Sequence, residues 1–227
     1  MYRLFIGNRN YSSWSLRPWV LLRALDIPFD VEQVVFADGS NWAAFRHFAP
    51  NGRVPCLHDG GRVVWDSLAI TEYLAERHDG VWPEEADARA WARCVASEMH
   101  AGFGALRNGC SMSCGQRVAL HAIDEALAAD VRRIYEIWSE GPQRFGGPWL
   151  AGSAFGAADA FYAPVAFRVQ TYGLPLSEPA AAYAEGLLAH PAMAEWYRAA
   201  LAEPWRDGAH EREIAQAGTV TADYRAG

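Results

Sequence analysis

Over the first 80 residues, short runs with a period of two take turns with stretches spaced at three and four. Residues 2–7 set Arg3 and Phe5 against Leu4 and Ile6, the alternation of a strand. A helix follows over 15–25, with Leu16, Val20 and Leu22 on or near one face and Trp19 beside them. Proline is tolerated in a first helical turn, so Pro18 predicts that the regular helix begins no earlier than about Ser15. Residues 29–35 form a second strand in which Asp30 and Glu32 face away from Phe29 and Val31. A short helix over 41–48 leads to a turn at Ala49-Pro50-Asn51-Gly52. Asp59-Gly60-Gly61 then joins 55–58 to 62–65 as a hairpin. A helix from Asp66-Ser67 to about His78 completes the order β-α-β-α-β-β-α, whose first βαβ unit implies a parallel pair.

Residues 80–85 hold Gly, Pro and acidic side chains and read as a linker. Beyond it the strand signal stops. The spacing of Trp91, Val95, Met99, Gly102 and Leu106 predicts one amphipathic helix over 86–107. A second is predicted over 116–138, and a third over 157–171, apolar almost all round and therefore central. Shorter helices follow at 180–189 and 191–202, and the polar stretch after 205 reads as a loosely packed tail. The expected organisation is an α/β unit over 1–80, a linker over 81–86, an all-helical unit over 87–205 and a tail over 206–227.

Composition narrows the function classes. With 51% hydrophobic and 21% charged residues the chain is not a disordered one, and no run of 18 apolar residues offers a transmembrane helix. A net charge of −7 argues against nucleic-acid and membrane-surface binding. Every basic residue is Arg, so Schiff-base and other lysine chemistry is excluded. No export signal opens the chain, which implies the reducing cytoplasm and free thiols at Cys56, Cys94, Cys110 and Cys114. The Cys110–Cys114 spacing matches neither a redox pair nor a zinc pair, and no metal is expected.

Three segments could carry chemistry. Val54-Pro55 is either a plain turn proline or, if the bond is cis, a place where the Val54 backbone turns toward an extended peptide. At Trp65-Asp66-Ser67 a helix begins; the acidic and hydroxyl side chains either cap it or, with its free N–H groups, hold the charged head of an amino acid. In 11–17 the serines either cap the next helix or stabilise an anion such as a thiolate. A free thiol ionises near pH ~8.5, so a hydroxyl donor and the positive end of a helix would raise its reactive fraction. A thiol site, a peptide-backbone site and an amino-acid head-group site together describe a thiol tripeptide.

Ser-Ser-Trp-Ser-Leu-Arg (12–17), Asn-Gly-Arg-Val-Pro (51–55), Trp-Asp-Ser-Leu-Ala-Ile-Thr-Glu-Tyr-Leu (65–74) and Phe-Gly-Ala-Ala-Asp-Ala-Phe-Tyr-Ala-Pro-Val (155–165) resemble the motifs of the glutathione S-transferase superfamily. The resemblance covers about 1–205 and is strongest to its zeta, maleylacetoacetate-isomerase side. It implies a thioredoxin-like N-terminal domain, an all-helical C-terminal domain, a homodimer and glutathione as cosubstrate. By position it makes Ser12, with Ser13 as the neighbouring candidate, the donor to the glutathione thiolate. Val54, before a cis Pro55, pairs with the cysteinyl backbone; Asp66 and Ser67 take the γ-glutamyl head; Arg53 stands near the glycyl end. Asp159 matches a helix-capping residue that serves folding. Trp14 stands where zeta relatives have Cys, and Gly156 where the family has a Ser or Thr cap.

The second-substrate pocket implied between the domains draws on Trp14, His100, Phe103, Arg107, Met112, Arg168 and Tyr172. Each has a plainer reading: Phe103 fits core packing, His100 a packed histidine, and a buried Arg168 needs a partner, for which Asp or Glu comes first. Three functions fit: thiol transfer to an electrophile, glutathione-dependent cis–trans isomerisation of a small acidic dienone, and binding without catalysis.

Overall fold

In a computed structural model that describes residues 1–36 and 39–225, strand β1 (Tyr2–Ile6) is an internal strand of a sheet ordered β2-β1-β3-β4. It runs parallel to β2 (Phe29–Gln33), with Leu4 beside Val31, and antiparallel to β3 (Cys56–Asp59), with Leu4 beside Leu57. The hairpin partner β4 (Arg62–Trp65) forms the far edge. Helices α1 (Ser13–Ala24), α2 (Trp42–Arg46) and α3 (Ser67–Ala75) complete a thioredoxin-like unit. The alternation in β1 reports two covered faces. Leu4 and Ile6 join the main core with Leu16, Val20, Ile70 and Leu74, while Phe5 packs on the other side with Ala49, Cys56 and Phe48.

Helix α1 begins at Ser13, two residues before the predicted start, and carries Pro18 inside it. Pro18 cannot donate to the Trp14 carbonyl. Residues 15–22 are all buried, and α1 packs on helices of the C-terminal half, so tertiary burial outweighs the lost bond.

The second half is helical: α4 (Ala86–Ala101), α5 (Gly104–Gly109), α6 (Glu125–Phe145), α7 (Ala157–Tyr172), α8 (Ala180–Ala189) and α9 (Pro191–Leu201). Helix α7 is buried along almost its whole length, as its apolar circumference implies. The linker stretch is docked: Val81 and Trp82 are buried, and the Val81 carbonyl accepts from Ala157 N–H at 2.9 Å.

Three expectations are corrected. The helix over 86–107 is broken, because Gly102 and Phe103 leave helical geometry and Phe103 takes φ 56°. A Cβ at Gly102 would lie 2.8 Å from the Glu98 carbonyl oxygen, a close approach that only glycine permits. The helix over 116–138 is a strand, β5 (Gln116–Leu120), followed by α6. The tail is not loose: α10 (Gly208–Ala217) and β6 (Gly218–Asp223) fold back, and β6 pairs antiparallel with β5, with Leu120 opposite Gly218. Its polar residues are spent on packed contacts, since Arg225 is buried and paired with Glu211 and Asp223. Of that predicted tail, 226–227 lie outside the described residues.

The buried Asp159 carboxylate ties the helical half together. It accepts from Leu150 N–H at 2.9 Å, Gly156 N–H at 3.0 Å and the Tyr183 hydroxyl at 2.8 Å. Burial pushes its titration up to about 6 against the opposing pull of these bonds. Asp159→Ala orphans three buried donors and is expected to cost about 3 kcal/mol or more, read as a lower urea midpoint. The sign of the pH effect follows from a folded pKa above the unfolded value near ~4. This group favours the folded state most below pH ~4, and that contribution fades as pH rises through about 6. The stability gap between wild type and Asp159→Asn is therefore larger at pH ~4 than at pH ~7.

Candidate active site

The loop from β1 to α1 is held before its serines are reached. The Asn8 carbonyl accepts from Tyr11 N–H at 3.2 Å and Ser12 N–H at 2.8 Å, and the Asn8 side-chain oxygen accepts from Phe36 N–H at 2.7 Å. Glu203, just past α9, accepts from the N–H of Arg9 at 2.7 Å and of Asn10 at 3.3 Å. Ser12 is thereby delivered to the start of α1, where its hydroxyl lies 2.7 Å from that of Ser15. Ser15 in turn accepts from Gly7 N–H at 3.1 Å. Because each hydroxyl can donate once and accept twice, Ser15 can donate to Ser12 and leave the Ser12 proton free for an anion. The N–H groups of Trp14 and Ser15, in the first turn of α1, have no intrahelical acceptor.

These residues form one wall of a cavity of about 620 Å³. Tyr11, Ser12, Ser13 and Trp14 line that wall, and Trp42, Arg53 and Val54 line the side formed by the α2–β3 connection. Opposite stand Arg107, Met112 and Arg168 from the helical half, with His210 and Glu213 of α10 completing the rim. The Val54–Pro55 bond is cis, and the Val54 backbone N–H and C=O have no partner among the described residues. Pro55 is buried behind it.

Not all candidates meet here. Asp66 and Ser67 do not line the cavity. Asp66 has φ 74° and caps α3, accepting from Leu68 N–H at 2.8 Å. Ser67 is fully buried and accepts from Arg17 at 3.4 Å. Of the second-substrate candidates, Trp14, Arg107, Met112 and Arg168 line the cavity, and three do not. Phe103 is a core residue, packed edge-on to Tyr162. Tyr172 is buried and donates to the Ser111 carbonyl at 2.7 Å. His100 is wedged between Trp14 and Phe161, with Nε2 3.7 Å from Asp66. Burial, with Arg17 and Arg107 nearby, lowers the His100 pKa against the pull of Asp66.

Arg168 does not take the carboxylate partner expected of it. Its guanidinium donates to the carbonyls of Cys110 at 2.7 Å and Pro164 at 3.3 Å. The carbonyl at the C-terminal end of α5 and one inside α7 thus satisfy it in place of a carboxylate. Burial, with repulsion from Arg107, brings its pKa down to about 10.

Arg17 borders the candidate site, and sequence reading passed over it although it stands in the 12–17 motif. It is buried and lies 4.2 Å from the Trp14 ring centroid and 4.9 Å from that of Phe161. Burial, with repulsion from Arg168 and Arg107, lowers its pKa to about 9. Two guanidiniums therefore flank Trp14, since Arg107 also lies 5.3 Å from that ring, and Arg168 lies close enough to repel both. Tyr11, by contrast, is not a free donor, because its hydroxyl donates to Glu211 and accepts from Arg225. The buried thiols are poor nucleophiles: burial pushes Cys110 up to about 11 and Cys56 to about 12.

Comparison with known proteins bears on this geometry. The chain matches the family description "Glutathione S-transferase, N-terminal domain" over 11–77 and "Glutathione S-transferase, C-terminal domain" over 96–199. It is 25% identical over 212 residues to a glutathione S-transferase-like protein of Beauveria bassiana, covering 89% of this chain and 91% of that one. It is 24% identical over 173 residues to maleylacetoacetate isomerase of Rattus norvegicus, covering 74% and 78%. A theta class glutathione S-transferase from Xanthomonas axonopodis pv. citri, solved with glutathione bound, superposes with a TM-score of 0.64 at 24% identity, covering 89% of this chain and 98% of that one. A thioredoxin-like sheet, a helical second half built on α7, and family matches running through both place this chain in the glutathione S-transferase family.

Proposed function

We propose that the protein is a glutathione transferase that ionises the glutathione thiol and presents it to a small electrophile in the cavity between its two halves. The observation that carries this reading is the Ser12 hydroxyl, relayed to Ser15 at the start of α1 and open to a cavity that Val54 lines from the other side. A thiolate there gains a hydroxyl donor, the positive end of α1 and the field of Arg17, Arg107 and Arg168. The unpaired N–H and C=O of Val54 suit the cysteinyl backbone, as a strand would. Asp66, partly exposed beside the α3 N-terminus, suits the γ-glutamyl ammonium, and the α3 N–H groups its carboxylate. Ser67 stands at the first position of α3, with its buried hydroxyl accepting from Arg17 and its backbone N–H among those that suit the head-group carboxylate. Arg53, exposed at the cavity edge, suits the glycyl carboxylate.

A second reading is isomerisation of a small acidic dienone, in which the thiol adds to the substrate and leaves again. Arg107 and Arg168 favour it, because two cations on one cavity wall suit substrate carboxylates. A non-catalytic glutathione-binding role is the third reading, and its test is retention on immobilised glutathione together with an absence of turnover. The homodimer is proposed on the β4–α3 face, where Val63 and Trp65 are exposed beside Val64 and Leu68. The free thiols suit a reducing compartment, the cytoplasm.

Ser12→Ala is expected to keep glutathione affinity and to lower kcat about 100-fold, the loss of one oriented donor to a developing anion. Ser13→Ala stays near wild type. Full activity in both variants overturns the thiolate assignment. Arg107→Gln is expected to raise KM for an anionic electrophile about tenfold over a neutral one, the loss of one charge-assisted hydrogen bond. Equal changes for both substrates remove the acidic-substrate reading.

A further inference from the structure

The C-terminal segment brings an imidazole to the cavity that no sequence motif announces. His210 lies in the first turn of α10 and lines the cavity together with Ser12. Its Nδ1 is 2.6 Å from the Asp207 carboxylate, which also accepts from the His210 backbone N–H at 3.0 Å. Burial opposes ionisation of Asp207, but these bonds outweigh it and hold its pKa below the usual range. An ionised carboxylate can only accept, so Nδ1 carries the proton, and in the neutral ring Nε2 presents its lone pair. Nε2 has no hydrogen-bond partner among the described residues, and the side chain keeps 30% of its surface exposed.

The ring is fixed in place. It stacks between Tyr11, with centroids 5.1 Å apart, and Phe36, at 5.6 Å. Phe36 abuts the serine site, because Phe36 Cζ and Ser12 Cβ lie 2.5 Å and 3.2 Å from the point where a Gly7 Cβ would stand. The imidazole thus shares one aromatic wall with the Ser12 side chain. The helix carrying it is anchored as well. Arg225, following β6, donates to the Tyr11 hydroxyl at 2.7 Å and pairs with Glu211 of α10. Other charged groups around the ring are Glu213, which accepts from Ser111, and the Asp207 already described.

We propose that His210, oriented by Asp207, is the general base that removes the thiol proton of bound glutathione. The step rests on the glutathione reading above. The S–H bond breaks, its proton passes to Nε2, and the electron pair stays on sulfur, where the Ser12 hydroxyl accepts the role of donor. The imidazolium that forms is paired with the Asp207 carboxylate. In a displacement the new C–S bond forms as the leaving group departs with its electrons, and the imidazolium returns its proton to water. In an addition the proton is returned to the substrate carbon. Ser12 then stabilises the thiolate, and His210 supplies the route by which the proton leaves.

Glutathione binding is measured first by quenching of tryptophan fluorescence, and conjugation is followed with a chlorodinitrobenzene across pH ~5.5 to 9. His210→Gln is expected to bind glutathione within about threefold of wild type while kcat at pH ~7 falls about 100-fold. Its rate then climbs as pH rises, by up to about tenfold per unit, over a range where wild type is already level. Asp207→Asn moves the profile the same way by a smaller amount. Added imidazole restores turnover to His210→Ala, whose shortened side chain leaves room between Tyr11 and Phe36. An unchanged rate and profile in His210→Gln overturn the proposal. So does a lower rate that keeps the wild-type profile and resists imidazole, the signature of lost packing alone. Wild type that fails to bind glutathione overturns the glutathione reading and the base with it, whereas binding with an unaltered thiolate profile overturns the base only.

Discussion

The geometry of the serine site depends on a carboxylate from the opposite end of the chain. Glu203, almost wholly buried, accepts from the N–H groups of Arg9 and Asn10 and from the side chain of Gln33. A buried carboxylate is tolerated only where its lone pairs are filled, and these donors fill them. The arrangement also works in reverse, since each donor it satisfies belongs to the β1–α1 loop or the strand beside it. Asn10 adds a contact to the Ala200 carbonyl, and the Arg9 carbonyl accepts from the Trp196 indole at 3.0 Å. The loop therefore takes its shape from α9 as much as from the sheet it leaves, and Ser12 inherits that shape.

A second constraint is charge. An acidic chain clusters three guanidiniums, Arg17 and Arg107 against the Trp14 ring and Arg168 close enough to repel both, with Arg17 and Arg168 buried. Carbonyl groups and aromatic faces meet much of their need, so their positive field is not cancelled by close carboxylates. Asp66 is the acidic group that most offsets Arg17, and it stands at the α3 N-terminus. A cavity walled by such a cluster favours anions, be they a thiolate or a carboxylated electrophile. Burial raises the Cys56 and Cys110 thiols, Cys110 against the lowering pull of Arg168, and keeps both protonated.

The C-terminal segment adds a third side to the cavity between the two halves. Strand β6 closes on β5, α10 swings over the loop, and Arg225 joins the Tyr11 hydroxyl to Glu211. A few of the polar residues in 206–225, His210, Glu211 and Arg225, are those that bind it to the loop. Polarity in a sequence does not distinguish a side chain that meets water from one that meets a buried partner, because both satisfy the same hydrogen-bonding demand.

What the sequence determined by itself was local. Period-two and period-three/four spacing, the Asp59-Gly60-Gly61 turn and the apolar circumference of α7 specified the element order of the first half, its parallel pair and hairpin, and the central helix, since each depends on neighbours within a few residues. The motifs at 12–17 and 51–55 likewise brought Ser12, Ser13, Trp14, Arg53 and Val54 to one cavity. Tertiary structure alone decided the rest. Strand β5 needs a partner about a hundred residues away, without which 116–120 looks helical. Phe103 and Tyr172 turn into the core although their spacing also suits a pocket, and Asp207 meets His210 beside Tyr11 because β6 folds α10 back. Spacing says which residues share a face of one element; which element that face meets is settled by long-range packing, where burial and hydrogen-bond satisfaction over the whole chain override local preference.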